Sequence, residues 1–321
     1  MAKGIRQTIA VASKTARREE RQLLGPLRSL VVSARTEKRY DKAMRAFVEF
    51  LRSEDREVPT VFDELDRCLS AYVEDLWESG EARSLASDCL AATQHMMPAT
   101  KHKLPSSWRL VSAWQRRELP ARAPPLTLLL TQAMAGWLFS KGETAAAVVT
   151  LLGFGGFLRT GEILALTGAS VTISASTTSA ILNLGLTKSG LRAGAAESVT
   201  ISCPMVVPML AVLTASKPAS HKLFDGGAPR YRKLFADALR ALDLHEWGFR
   251  PYSLRRGGAT HRFEQSQNLP AVMVAGRWSH ERTARIYINS GLALLATLRL
   301  SPLASKTCEK FRHHFLRISR G

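Results

Sequence analysis

The sequence predicts a mainly α protein: an all-helical amino-terminal domain joined to a larger, mostly helical domain that carries a small antiparallel β-sheet. Three observations predict it. Apolar residues recur at helical spacing along most of the chain, a Pro- and Arg-rich stretch divides it at residues 118–126, and three short β-branched segments interrupt the helical period between residues 170 and 204.

The totals bound what such a chain does. At 321 residues it is long for one domain and suits two. Apolar residues make up 45% and charged residues 22%, enough material for sizeable cores, which argues against disorder throughout. Lys plus Arg number 45 against 27 Asp plus Glu, a net charge of +18 and a pI near 10.4, which points to a polyanionic partner such as nucleic acid. Charge alone names no target. Cys68, Cys89, Cys203 and Cys308 stand far apart with no C-x-x-C spacing, so neither a zinc site nor a disulfide framework is indicated, and a reducing compartment fits best. No stretch reaches the roughly 18 to 20 apolar residues of a spanning helix; the nearest is the interrupted run from Ala145 to Leu158, and the membrane class drops out.

Along the chain, residues 1–24 form a basic arm. "MAKGIRQTIAVASKTARREERQ" has no acid before Glu19 and reads as a DNA-contacting arm or a solvated helix ahead of an organelle transit segment. Residues 25–117 read as a helical domain: Tyr40, Met44, Phe47 and Leu51 fall at i, i+4, i+7 and i+11, leaving Lys and Arg on the remaining surface. "LDRCLSAYVEDLWESG" and "SLASDCLAATQHMM" repeat that period, and Gly80 and Pro98 punctuate them. Residues 118–126 are the linker, where proline stiffens the chain and ends helices. The second domain, 127–300, opens with helices, passes through "SVTISAS", "SAILNLGLT" and "ESVTISCP" as strands with a turn at "KSGLRAGAA", and returns to helices. Residues 301–321 are expected to be a basic tail, solvated or touching DNA.

Four elements of the second domain carry chemistry. In "GFLRTGEILALT", Arg159 ends an apolar helix and Glu162 follows three residues later. Lys188 sits at the tip of the strand turn. "RPYSLRRGGATH" contains Tyr252 and Arg255, and "AGRWSHERTARIYI" contains Trp278 and, nine residues on, Tyr287. Singly each is ordinary: an arginine at a helix end is usually a cap, a turn lysine is usually solvated, a tryptophan is usually core. As a set they have a logic. Two guanidinium forks match phosphate oxygens, a lysine on a turn supplies a proton to a leaving oxygen, and a tyrosine is a nucleophile. This chemistry calls for no metal and no cofactor.

These boxes resemble those of the tyrosine recombinase, or phage integrase, family of DNA breaking-rejoining enzymes; the "SLRRGGAT" phrasing looks most like recombinases of eukaryotic mobile elements. Arg159 and Glu162 match the family's first box and Lys188 its β-turn lysine. "YSLR" matches the second box, normally His-x-x-Arg, with Arg255 in place and Tyr252 at the histidine position. Trp278 precedes Tyr287 at the family's separation. The likeness spans roughly residues 120 to 295. It implies that residues 25–117 are a core-binding domain and 127–300 the catalytic domain. Tyr287 would attack the scissile phosphate to leave a 3′-phosphotyrosyl link without ATP. Arg159 and Arg255 would hold the non-bridging oxygens, Lys188 would protonate the leaving 5′ oxygen, Glu162 would orient its neighbours, and Trp278 and Tyr252 would pack on the phosphate or donate to it. Double-stranded DNA is the implied partner, with four protomers on paired sites. Leu292, Leu295, Ala296, Leu298 and Leu300 form an apolar surface that docks either on the same domain or on a neighbouring protomer. Two other readings remain: a type IB topoisomerase, and a weakened relative that binds DNA without cutting, which Tyr252 favours. The expected compartment is the nucleus in a eukaryotic host and otherwise the cytoplasm or nucleoid, with organelle targeting also open.

Overall fold

The computed structural model describes residues 13–119, 121–187, 190 and 194–319. Lys188 and residues 1–12 of the basic arm lie outside the described residues. Two compact units divide the chain, one running to Ala121 and the other beginning at Arg122.

Among the described residues, the regular elements of the first unit are all helices. Helix α1 (Lys14–Leu24) starts on a cap in which Ser13 Oγ accepts from the Ala16 N–H, buries none of its residues and carries Arg17, Arg18 and Arg21. Helices α2 (Ala34–Ser53), α3 (Phe62–Glu78), α4 (Arg83–Met96) and α5 (Pro105–Arg117) enclose a core around Phe47, Leu51, Leu69, Tyr72, Leu90 and Trp114.

One polar residue is buried in that core for a stated reason. Pro105 opens α5 where a missing N–H costs nothing, but the next two amides still need acceptors. Asp66, on α3, supplies them: its carboxylate accepts from Ser106 N (2.9 Å), Ser107 N (3.0 Å) and Ser107 Oγ (2.6 Å). Burial by itself would raise this carboxyl, but the bonds from Ser107 and Ser106 outweigh it and hold the pKa below the usual value. Asp66→Ala is expected to lower stability by about 2–3 kcal/mol, because two helix-end amides and a hydroxyl lose a charged acceptor. Urea unfolding checks this. The sign with pH follows from the depressed pKa: the contribution is full above the ordinary carboxylate range and is lost as pH falls through the lower native value.

The second unit is built around α6 (Leu128–Ser140) and α7 (Thr144–Gly155), which are apolar on nearly every side and therefore central. A short helix, α8 (Thr160–Ile163), follows. The sheet then runs β1 (Val171–Ile173), β2 (Ala180–Gly185), β3 (Glu197–Ile201), antiparallel in that order, with Val171 opposite Leu182 and Leu182 opposite Val199. Ala180, Leu182, Val199 and Ile201 turn inward onto the helices. The rest is helical: α9 (Val206–Ala215), α10 (Gly227–Ala241), α11 (Tyr252–Ser266), α12 (Leu269–Gly276), α13 (Glu281–Tyr287), α14 (Ser290–Leu298) and α15 (Pro302–Ile318). The fold is thus mainly α with one small antiparallel sheet, as the sequence predicts.

Two expectations need correction. Residues 301–319 of the expected tail are not solvated chain: Ser301 caps α15, and Ala304, Cys308 and Phe315 are fully buried in the main core, with Phe311 packed beside them. These residues repeat at i, i+4, i+7 and i+11, so one stripe packs while the lysines and arginines occupy the other sides. A chain ended after Asn289 would lose this helix and expose that core, so it is expected to unfold. The end of the linker is also packed. Leu126 is fully buried and its N–H donates to the Ser253 carbonyl at 3.2 Å. Pro124 and Pro125 have little backbone freedom to lose, so fixing this stretch costs little.

Candidate active site

Helix α11 is the spine of the site. It enters the core because of "GG": a Cβ at Gly257 would collide with the Leu126 carbonyl and one at Gly258 with the Phe154 carbonyl, so only glycine lets the helix approach those backbones. That approach buries Arg255 completely. Its guanidinium cannot stay bare there, and it donates through Nη1 to the Phe157 carbonyl and through Nη2 to the Gly276 carbonyl at 2.7 Å. Burial, then the charge of Arg159, pulls its pKa down to about 10, which leaves it charged at neutral pH. The guanidinium carbon lies 4.9 Å from the Trp278 ring centroid and 5.2 Å from that of Tyr287.

Trp278 is buried between Phe157, at 6.4 Å and nearly parallel, and Tyr287, at 4.5 Å. Its indole Nε1 is buried without a hydrogen-bond partner. An orphaned buried donor costs stability and calls for an explanation. Tyr252 is 40% exposed, its ring 5.7 Å from that of Tyr287, and its hydroxyl donates to the Tyr287 hydroxyl. Burial, then this contact, pushes the Tyr252 pKa well above the ordinary phenol value. Tyr252 therefore stays a protonated donor across the neutral range, and in this structure its donor is aimed at the candidate nucleophile.

Glu162 ties the first box to the last. It accepts from the Arg159 N–H at 2.8 Å, from Arg159 Nη1 and from Arg277 Nη2 at 2.8 Å. Burial would raise this carboxyl, but the Arg159 backbone bond and the Arg277 charge prevail and lower it. Its contribution to stability is present above the usual carboxylate range and lost as pH falls through the lower native value. An open hollow beside Arg159 is lined by Glu162, Asn183, Leu186 and Thr187.

The structure thus brings Arg159, Glu162, Tyr252, Arg255, Trp278 and Tyr287 to one place, with Lys188 outside the described residues. It also adds Arg277, which spacing in the sequence does not single out. Arg277 caps α12 with φ of 56°, a strained value for a residue with a side chain, and Phe157 has φ of 47°. The turn at Arg277 aims its side chain back at Glu162, and its Nε lies 3.6 Å from Glu197, which accepts from Thr187 Oγ1 at 2.7 Å. Its Nη1 is buried without a hydrogen-bond partner. Nothing in the sequence marks this role, because a covered guanidinium and a solvated one look alike there.

No protein-family model matches the sequence, and no curated protein matches it. Among solved structures it is similar to the XerH site-specific recombinase in a post-cleavage complex with palindromic difH substrate, at 15% identity and a TM-score of 0.56, covering 78% of this chain and 75% of that one. It is similar also to the Tn1549 transposon integrase in complex with circular intermediate DNA, at 14% identity and a TM-score of 0.59, covering 84% and 95%. A second structure of that integrase, with transposon right end DNA, gives 15% identity and a TM-score of 0.58. The chain therefore has the fold of site-specific recombinases and transposon integrases.

Proposed function

We propose that this chain is a tyrosine-type site-specific DNA recombinase that cuts and rejoins strands through a 3′-phosphotyrosyl intermediate. One observation carries the reading: Tyr287, Trp278, Arg255, Tyr252, Arg159 and Glu162 come from distant segments and meet. The net charge of +18 suits a phosphate backbone.

In the proposed step the Tyr287 oxygen bonds to phosphorus and its proton passes to solvent. The P–O5′ bond breaks, and the leaving oxygen takes a proton from Lys188. Arg255 and Arg159 offset the charge gathering on the non-bridging oxygens, which is usually the largest contribution to such catalysis. Trp278 Nε1 donates to one of those oxygens. Because Arg255 is fully buried under aromatic rings, the phosphate reaches it only when the Tyr287 ring shifts. The test is capture of a detergent-resistant protein–DNA adduct from a nicked duplex library with a randomised core. The duplexes recovered then serve as substrate. Adducts support the reading, and their absence contradicts it.

Tyr252 takes over part of the histidine's work in this reading. Its donated bond stabilises the Tyr287 phenolate as it forms, so Tyr252→Phe is expected to slow cleavage roughly 10- to 100-fold, the worth of one hydrogen bond to a charged oxygen. DNA affinity in a filter-binding assay should stay unchanged.

For assembly we propose a homotetramer on paired DNA sites. Leu294 and Leu298 on α14 are 59% and 70% exposed although the helix is almost wholly apolar. Leu294→Glu with Leu298→Glu should leave folding and adduct formation intact and stop strand exchange between two sites. Strand exchange at the unaltered rate would contradict this.

A further inference from the structure

Arg256 is only 4% exposed and follows Arg255, but successive helical positions point about 100° apart, so the two guanidinia leave α11 in different directions. Arg256 Nη1 donates to the Ala123 carbonyl at 2.6 Å and Nη2 to the Ile286 carbonyl at 3.2 Å. Ile286 immediately precedes Tyr287. One turn further along α11, Thr260 Oγ1 donates to the Tyr287 carbonyl at 3.3 Å and accepts from the Asn289 N–H at 3.1 Å. Positions 256 and 260 are i and i+4, so both lie on one face of the helix.

These contacts hold the backbone before, at and after Tyr287. They touch only backbone atoms, whereas Tyr252 and Arg255 act on its ring and hydroxyl. Two further features suit a brace. Ala123 belongs to the packed segment ending in Leu126, which α11 itself fixes through Ser253, so Arg256 ties the end of α13 to a part of the core that is already held. A buried arginine is also costly to keep, because a full charge leaves water. A methionine would fill similar space but could not span two carbonyls, whereas a planar guanidinium does so with fixed geometry.

We infer that Arg256, helped by Thr260, is a positioning residue that fixes the Ile286–Asn289 backbone against the 122–126 segment and so presents Tyr287 for attack. The inference rests on the proposed role of Tyr287 as nucleophile.

The test separates positioning from phosphate binding by changing the nucleophile. In the full-length protein, Arg256→Met and Arg256→Lys should each slow adduct formation about 10- to 100-fold, the cost of a misplaced reacting group, with DNA binding unchanged. In a Tyr287→Ala background, hydrogen peroxide serves as the attacking group: its oxygen bonds to phosphorus, the P–O5′ bond breaks, and the 5′ oxygen is protonated. That cleavage should proceed at the same rate with and without Arg256→Met, because there is no tyrosine left to position. An equal loss of peroxide-driven cleavage, or adduct formation at the unaltered rate in both Arg256 variants, would overturn the inference. Failure of the underlying reading looks different: neither adduct from the unaltered protein nor peroxide cleavage from Tyr287→Ala. A DNA-free arm decides the positioning claim in that event. With 3-fluorotyrosine at position 287, the 19F resonance should be single and narrow in the otherwise unaltered protein and broadened or split by Arg256→Met or Arg256→Lys; an unchanged line would overturn it.

Discussion

Tyr287→Phe is expected to abolish the covalent protein–DNA adduct while leaving salt-sensitive DNA binding nearly unchanged. Only the attacking oxygen is lost, and the ring that packs, tilted, against Trp278 at 4.5 Å remains. The Tyr252 hydroxyl loses its acceptor but is exposed enough for water to replace it. Folding should therefore hold, and the effect should be confined to chemistry. Adduct formation on a nicked duplex, read on a denaturing gel beside filter binding, checks both halves. A phenylalanine variant that still forms adducts would remove Tyr287 from the role.

The second large effect is expected at Arg255. Arg255→Ala should slow cleavage by ~10² to 10³ or more, by analogy with losing one preorganised donor to a developing charge. Unlike Tyr287→Phe, it should also lower stability, because the Phe157 and Gly276 carbonyls lose their partners in a buried setting. Arg159→Ala provides the contrast. Arg159 is partly exposed, and Arg277 remains on Glu162 when it goes, so the rate should fall comparably with a smaller loss in melting temperature. Equal melting shifts in the two variants would contradict the picture of Arg255 as both the buried anchor and the charge under the tyrosine.

The mainly helical class and the three short strands were legible because hydrophobic period and β-branched runs are local signals. The helix 302–318 was equally local: Ala304, Cys308, Phe311 and Phe315 repeat at helical spacing, but the basic residues between them read as a tail. Arg159, Glu162, Tyr252, Arg255, Trp278 and Tyr287 could be named from their spacing and from family resemblance. What spacing could not give is which of the many arginines leave water. Arg256 is buried because "GG" draws α11 against Leu126 and Phe154, and the Arg277 side chain is left only 9% exposed because Arg277 adopts a left-handed cap; both are consequences of tertiary contact. Nor could spacing tell that the Tyr252 hydroxyl would meet Tyr287 across 35 residues.

The central claim is that Tyr287 forms the bond to DNA. The most direct measurement is to trap the adduct on a nicked duplex, digest both protein and DNA, and identify the modified peptide by tandem mass spectrometry. The account predicts a nucleotide joined through its 3′ phosphate to Tyr287, with a free 5′ hydroxyl on the released strand. A linkage at Tyr252 or any other residue, or a 5′-phosphate attachment, would contradict it.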